Sequence, residues 1–237
     1  MIRAMVGTLD ALFAATALFV CGHFLLSSQS IRRFLMDKLG EQGFRGGYAL
    51  AIGAAFVWML FAYGAAPYVE LWPYIPALAW VPVVVMPVSL LLVVCGLSTP
   101  NPTSVGGEKI LTQEVHDQSP GMLRVTRHPF LWGTALWAVA HVVVNGDVAS
   151  LILMGGVLVL SLGGMWHIDQ RREEDLGSAW GPIAMTTSRL PFQALLQGRT
   201  TMDWKGIGWS RLVAALALYV ILLHVHDWII GVSALPV

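Results

Sequence analysis

In a chain this apolar, the side chains able to do chemistry are few and can be weighed one at a time. His23 stands in GHFLLSS, near the end of one long apolar run, and His141 stands in AVAHVVVNGD, near the end of another. An imidazole on a membrane helix is costly unless it is paired. Neutral imidazole nitrogen is also an ordinary ligand for haem iron. Each of the two is therefore read either as an axial haem ligand or as a helix–helix hydrogen bond. Gly133, Trp137, His141 and Asn145 recur every four residues and share one helical stripe, so Gly133 and Trp137 would offer a flat face beside His141. His128 lies off that stripe, between Arg127 and Pro129 and close to Arg124. Pro129 suits the first position of a helix, where backbone N–H groups and the dipole favour anions. The alternative is an interfacial histidine that anchors the helix. Glu173 and Glu174 follow the next apolar run; a glutamate there can hold a cationic amine, or the pair is a solvated charge run. His167, ahead of Arg171 and Glu174, reads as a salt-bridged helix end. His224 and His226 beside Asp227 and Trp228 read as interfacial, and His116 carries no signal.

The elements that must position these groups are membrane helices. Hydrophobic residues make up 56% of the chain and charged residues 12%, with a mean hydropathy of +0.68, far outside soluble usage. Ten tryptophans suit interfacial belts. Apolar stretches long enough for ~30 Å of hydrocarbon fall at about 5–26, 47–66, 76–97, 129–145, 148–168 and 211–232. An all-α bundle of about six spans in a single domain, 1–237, is expected. The first run is read as a retained helix, because Asp10 would break a signal sequence and no small-residue cleavage site follows. SSQSIRRFLMDKLGEQGFRG after it reads as a basic, partly amphipathic connector. Tyr68, Trp72 and Tyr74 mark an interfacial hairpin, and Pro82 with Pro87 predict a kinked third span. The polar stretch Ser98–Arg127 exceeds ordinary loop length and is either functional or loosely ordered. Gly155, Gly156, Gly163 and Gly164 give the fifth span a smooth face for another helix or a flat ligand. Cys21 and Cys95 sit in separate apolar runs, which argues against a disulfide, and no CxxCH offers covalent haem attachment.

The charges alternate. Arg32, Arg33, Lys38 and Arg45 follow the first span; Lys109, Arg124 and Arg127 follow the third; Arg171, Arg172, Arg189, Arg199, Lys205 and Arg211 surround the connector after the fifth. The hairpins after the second and fourth carry none, and only Arg3 dissents. The positive-inside rule then turns the basic connectors to the cytoplasm and both termini to the periplasm. The expected partners are the bilayer and a lipophilic small molecule, with no nucleic acid.

RVTRHPFLWGTALWAVAHVVVNGD, GHFLLSS, NPTSVGGEKIL and TSRLPFQALLQGR together resemble the NnrU family of bacterial membrane proteins, over essentially the whole chain. That family is similar to zeta-carotene isomerase, which shares the RVTRHP run and the histidine thirteen residues beyond it. The resemblance implies a polytopic inner-membrane protein associated with nitrite and nitric oxide reduction (denitrification), or a haem-dependent isomerase. It implies non-covalent haem b, with the ligand histidines carried onto His23 and His141; the relative's fifth-span histidine has no counterpart in Val157–Ser161. A second resemblance, Arg127-His128-Pro129 followed by Arg172-Glu173-Glu174 and TSRLPF, is to isoprenylcysteine and phospholipid methyltransferases. It implies S-adenosylmethionine framed by Arg124, Arg127, His128, Glu173 and Glu174. A non-enzymatic assembly factor for a respiratory complex is the third reading.

Overall fold

A computed structural model describes residues 7–103 and 119–236. The expected start of the first span, together with Arg3, Lys109 and His116, lies outside the described residues. Helix α1 (Leu9–Ser27) starts where the Thr8 hydroxyl accepts from the Ala11 N–H at 3.1 Å. One residue later α2 begins and runs Gln29–Ala65. The stretch expected to be a connector is therefore helical, and only Gly40 (φ 70°, ψ 166°) interrupts it. Glycine tolerates that left-handed φ, so the chain turns there without breaking off. Helix α3 spans Trp80–Ser98, α4 Pro129–Val144 and α5 Val148–Leu176. The Asp147 carboxylate accepts from the Ser150 N–H at 3.0 Å and caps α5. That helix outruns the expected 148–168, because the REED segment stays helical. Short helices α6 (Trp180–Thr186), α7 (Gln193–Leu196) and α8 (Trp204–Ile207) lead to α9 (Trp209–Ile230), which stops at Gly231 with φ 86°. Among the described residues, five helices are long and apolar enough to cross a membrane and α4 is a shorter apolar one, so the chain is a multi-pass helical membrane protein.

The residues gather into two compact units, 1–75 with 141–160 and 76–140 with 161–237. In the first, α1 packs along α2. Their buried positions are largely small, Ala11, Ala15, Ala55 and Ala62 beside Leu12 and Met59. Small residues let helix backbones approach closely where lipid is as apolar as leucine. Gly156 of α5 meets Thr16, which takes up part of the smooth face expected there. The loop after α2 is stitched to the turn before α5: Leu71 and Trp72 N–H groups both donate to the Gly146 carbonyl, and Val148 donates to Val69. Trp72 covers Gly146 so closely that a Cβ there would strike its carbonyl oxygen. Tyr68 and Tyr74 stay exposed, as interfacial aromatics would.

In the second unit, α9 packs on α3. Pro82 falls in the first turn of α3, where its missing N–H costs nothing. Pro87 is interior and deprives the Val83 carbonyl of its partner four residues on. Tyr219 of α9 supplies the replacement, its hydroxyl donating to Val83 O at 2.9 Å. Helix α4 meets α3 through Gly133. A Cβ at that position would lie 2.6 Å from Val93 and 2.7 Å from the Ser89 carbonyl oxygen. The Ser89 hydroxyl donates to the Gly133 carbonyl at 2.7 Å. Leu92, Cys95, Met122, Val125 and Ile207 close the end of this unit as one apolar cluster.

Candidate functional site

Directly before α4, the segment VTRHP is pinned on both sides by backbone bonds. The Arg127 N–H donates to Ser188 O at 2.9 Å, and the Phe192 N–H donates to Val125 O at 2.8 Å. The Thr126 hydroxyl and the Trp132 indole both donate to Arg189 O, each at 2.8 Å. Asn101 and the Thr103 hydroxyl donate to the Arg127 carbonyl, at 3.2 and 3.0 Å. Three segments singled out in the sequence, NPT, RVTRHP and TSRLPF, thus converge on one place. Phe192 takes a left-handed φ of 65° at the end of this strap.

At their meeting point lies Asp169 of α5, whose side chain is 10% exposed. Its Oδ1 accepts from Nε2–H of His128 at 2.8 Å. Its Oδ2 faces Nε of Arg189 at 3.0 Å and Nε of Arg127 at 3.7 Å. His128 is almost fully buried, and burial pulls its pKa below the ordinary value against the hydrogen bond and charge of Asp169. A neutral imidazole that donates through Nε2 is the outcome. Burial likewise lowers the Arg127 pKa, with Asp169 opposing; a guanidinium still keeps its proton. The Trp180 ring lies 5.5 Å from the Arg127 guanidinium, within cation–π range.

Beside this hub opens a cleft of about 330 Å³ lined by Arg127, Asp169, Glu173, Trp180, Ala184 and Arg189, with glycines 177 and 181 in its wall. Of the five residues expected to frame an anion or S-adenosylmethionine, Arg127 and Glu173 line it, whereas Arg124, His128 and Glu174 do not. Arg124 reaches instead to Ser119 O and Thr201 O, and His128 is spent on Asp169.

The two histidines of the apolar runs, both half-buried, belong to the first unit. His23 lies between α1 and α2, edge-on to Phe19 at 4.6 Å and to Tyr48 at 6.0 Å between centroids. Its Nδ1 sits 2.8 Å from the Phe19 carbonyl oxygen, so Nδ1 carries the proton and Nε2 keeps its lone pair. Ser27 donates to the His23 carbonyl, and Asn145 to that of His141 at 2.9 Å, so neither orients an imidazole through those bonds. Trp137 and Gly133 fall in the second unit. The face expected to be open at Gly133 is occupied by Val93 and Ser89, because the glycine serves helix–helix approach. His224 is exposed and His226 half-buried, and their Nδ1 atoms meet the Val220 and Val232 carbonyls.

The profile of the family described as NnrU protein matches residues 11–234. The chain belongs to the NnrU family. Its match runs through both units and every helix that could span a membrane. Among curated proteins, this NnrU chain is 31% identical over 86 residues to the chloroplastic 15-cis-zeta-carotene isomerase of Zea mays, covering 36% of the chain and 24% of that protein. It is 30% identical over 89 residues to the Arabidopsis thaliana protein of the same description, covering 38% of the chain and 24% of that protein. The matched part spans about a quarter of those relatives' length. No solved structure matches.

Sequence reasoning missed Asp169, Trp180 and Arg189 as members of this NnrU site. Asp169 had a readable signal: it is the first charged residue after the long apolar run of α5, where an acid must find a partner. Arg189 lay inside the quoted TSRLPF segment but counted only as a basic charge. Trp180 had no local signal at all.

Proposed function

We propose that this NnrU protein is a membrane-embedded isomerase-type protein acting on a lipid-soluble polyene, with haem b held by His23 and His141. The observation that carries the reading is the tautomer of His23. Metal-bound imidazoles nearly always give their other N–H to a carbonyl or carboxylate, which fixes the ring and leaves the second nitrogen free to ligate. His23 meets that condition through Phe19. The carbonyl bond alone is not specific, since His224 makes the same one while exposed. A half-buried place beside α2, aromatic rings on two sides and a place in the same unit as His141 distinguish His23. The relatives named as zeta-carotene isomerases supply the substrate class.

Haem would supply an iron centre able to change electron count or bind a double bond. The protein's part is to exclude water and to present Nε2 of His23 from a ring that Phe19 and Tyr48 hold edge-on. Phe19 also contacts Phe56, at 5.5 Å between ring centroids, which lines this region with flat apolar surface suited to a polyene. The distribution of lysines and arginines supports an orientation in a bacterial inner membrane with both termini outside the cytoplasm as part of this reading.

The test is an absorption spectrum of the detergent-purified protein, with His23→Ala, His141→Ala and the control His224→Ala scanned for haem per protein and Soret position. The first two should lose or shift the Soret band and the control should keep it. A wild-type spectrum in both variants would refute the ligand pair, and a colourless wild-type protein reconstituted with haem would refute the cofactor.

A further inference from the structure

The cleft beside Asp169 belongs to the second unit, whereas the residues assigned to haem belong to the first. Its most unusual occupant is Arg127. That side chain is only 12% exposed, yet its guanidinium makes no hydrogen bond among the described residues. Nε is buried without a partner, because 3.7 Å to Asp169 is too long for one. Among the described residues, charge compensation comes from Asp169 and the Trp180 ring. Arg189 gives its Nε to Asp169 at 3.0 Å, and its terminal amino groups likewise donate to no described residue. Both guanidiniums line the cleft. Arg199, close enough to bear on Arg127 electrostatically, spends one terminal nitrogen on the carbonyls of Ala184, Met185 and Thr187.

Two forks of donors at one cleft, neither satisfied among the described residues, ask for an acceptor. Leaving buried charged donors unmade is costly, and planar guanidinium forks match oxyanion geometry. In the lining Arg127 and Arg189 balance Asp169 and Glu173, and Arg199, close to Arg127 though outside the lining, tips the local charge towards positive. Asp169 is fully engaged by His128, Arg127 and Arg189 and acts as a strut rather than a competitor. We infer that this cleft binds a phosphate-type oxyanion through the terminal amino groups of Arg127 and Arg189. A tetrahedral phosphate has oxygens for both forks, whereas one carboxylate has oxygens for one. Trp180 and Ala184 give the remaining wall an apolar character, and the neighbours Met185 and Leu190 are exposed at 70% and 55%. The phosphate could therefore arrive free in solution or as the headgroup of a phospholipid whose chain lies along those side chains.

The experiment is calorimetry on the full-length protein in an uncharged detergent, titrated with inorganic phosphate and, separately, with dihexanoylphosphatidic acid. Binding of one or both is expected: preference for inorganic phosphate assigns a soluble source, and preference for the short-chain lipid assigns the headgroup. Arg189→Gln, at a side chain 45% exposed and so outside the buried core, should weaken binding by about tenfold or more. Glu173→Gln removes a like charge from the rim and should tighten binding by roughly twofold to fivefold. Far-ultraviolet circular dichroism and elution volume check that both variants fold. No heat with either ligand overturns the proposal. So does binding indifferent to Arg189→Gln, or binding that Glu173→Gln weakens.

Discussion

Replacing Asp169 by asparagine keeps the shape of the hub and removes its charge. The amide oxygen can still accept from His128, but the amide nitrogen would then face two guanidiniums. The magnitude follows from burial. Arg127 is 12% exposed and Asp169 10%, so the substitution leaves a mostly buried guanidinium without its counter-charge, which costs roughly 3–5 kcal/mol. The 3.7 Å separation places this pair at the low end of that range. Arg189 is 45% exposed, and solvent screening limits its loss to about 0.2–1 kcal/mol. The sum is about 3 kcal/mol, whereas Arg189→Gln alone should cost no more than about 1 kcal/mol. Reversible unfolding in mixed micelles, followed by tryptophan fluorescence, measures both. The two variants should differ clearly; equal losses, or an Asp169→Asn protein within 1 kcal/mol of wild type, would refute the account of the hub. The pH dependence provides an independent check. His128 has a folded pKa below its ordinary 6.5, so the folded state holds this proton more weakly than the unfolded chain. Its stabilising share is therefore present above about pH 6.5 and is lost as pH falls towards the lower folded value. Removing the Asp169 charge takes away what opposes that shift, so the acid loss should deepen and extend to lower pH.

Tyr219→Phe should destabilise by about 1–2 kcal/mol, because it strands the Val83 carbonyl that Pro87 has already freed; the same unfolding titration reads it, and a neutral effect would mean that another donor serves that carbonyl. Gly133→Ala should cost about 1–3 kcal/mol, since its Cβ has no room against Val93 and the Ser89 carbonyl, and Gly155→Ala, with open space around it, is the control. A reporter fused after Val237 should report the periplasm, and one inserted at Gly106 the cytoplasm. The opposite pattern would overturn the orientation taken from the lysines and arginines.

Most of the membrane architecture was legible without coordinates, because insertion depends on local hydrophobicity and length. The apolar runs that become α1, α3, α4, α5 and α9 declare themselves residue by residue. Pro129, at the first position of α4, and Asp147, at the start of α5, mark boundaries through chemistry confined to a few neighbours. The run RVTRHPFLWGTALWAVAHVVVNGD, with GHFLLSS, NPTSVGGEKIL and TSRLPFQALLQGR, likewise pointed to the family. The helical course of the connector was less legible, since the polar segment forms a helical stretch that meets the next one at a kink, where Gly40 accepts a positive φ. What the sequence could not determine is which partner each buried polar group finds. Asp169 meets Arg127, His128 and Arg189, drawn from two segments about sixty residues apart, and Tyr219 reaches a carbonyl 136 residues away. Gly133 was read as an open face because its own helix shows only a missing side chain; α3 fills that space. Hydrophobic period is a property of one helix, whereas a hydrogen bond or a close backbone approach belongs to a pair. Only packing chooses the second member of the pair.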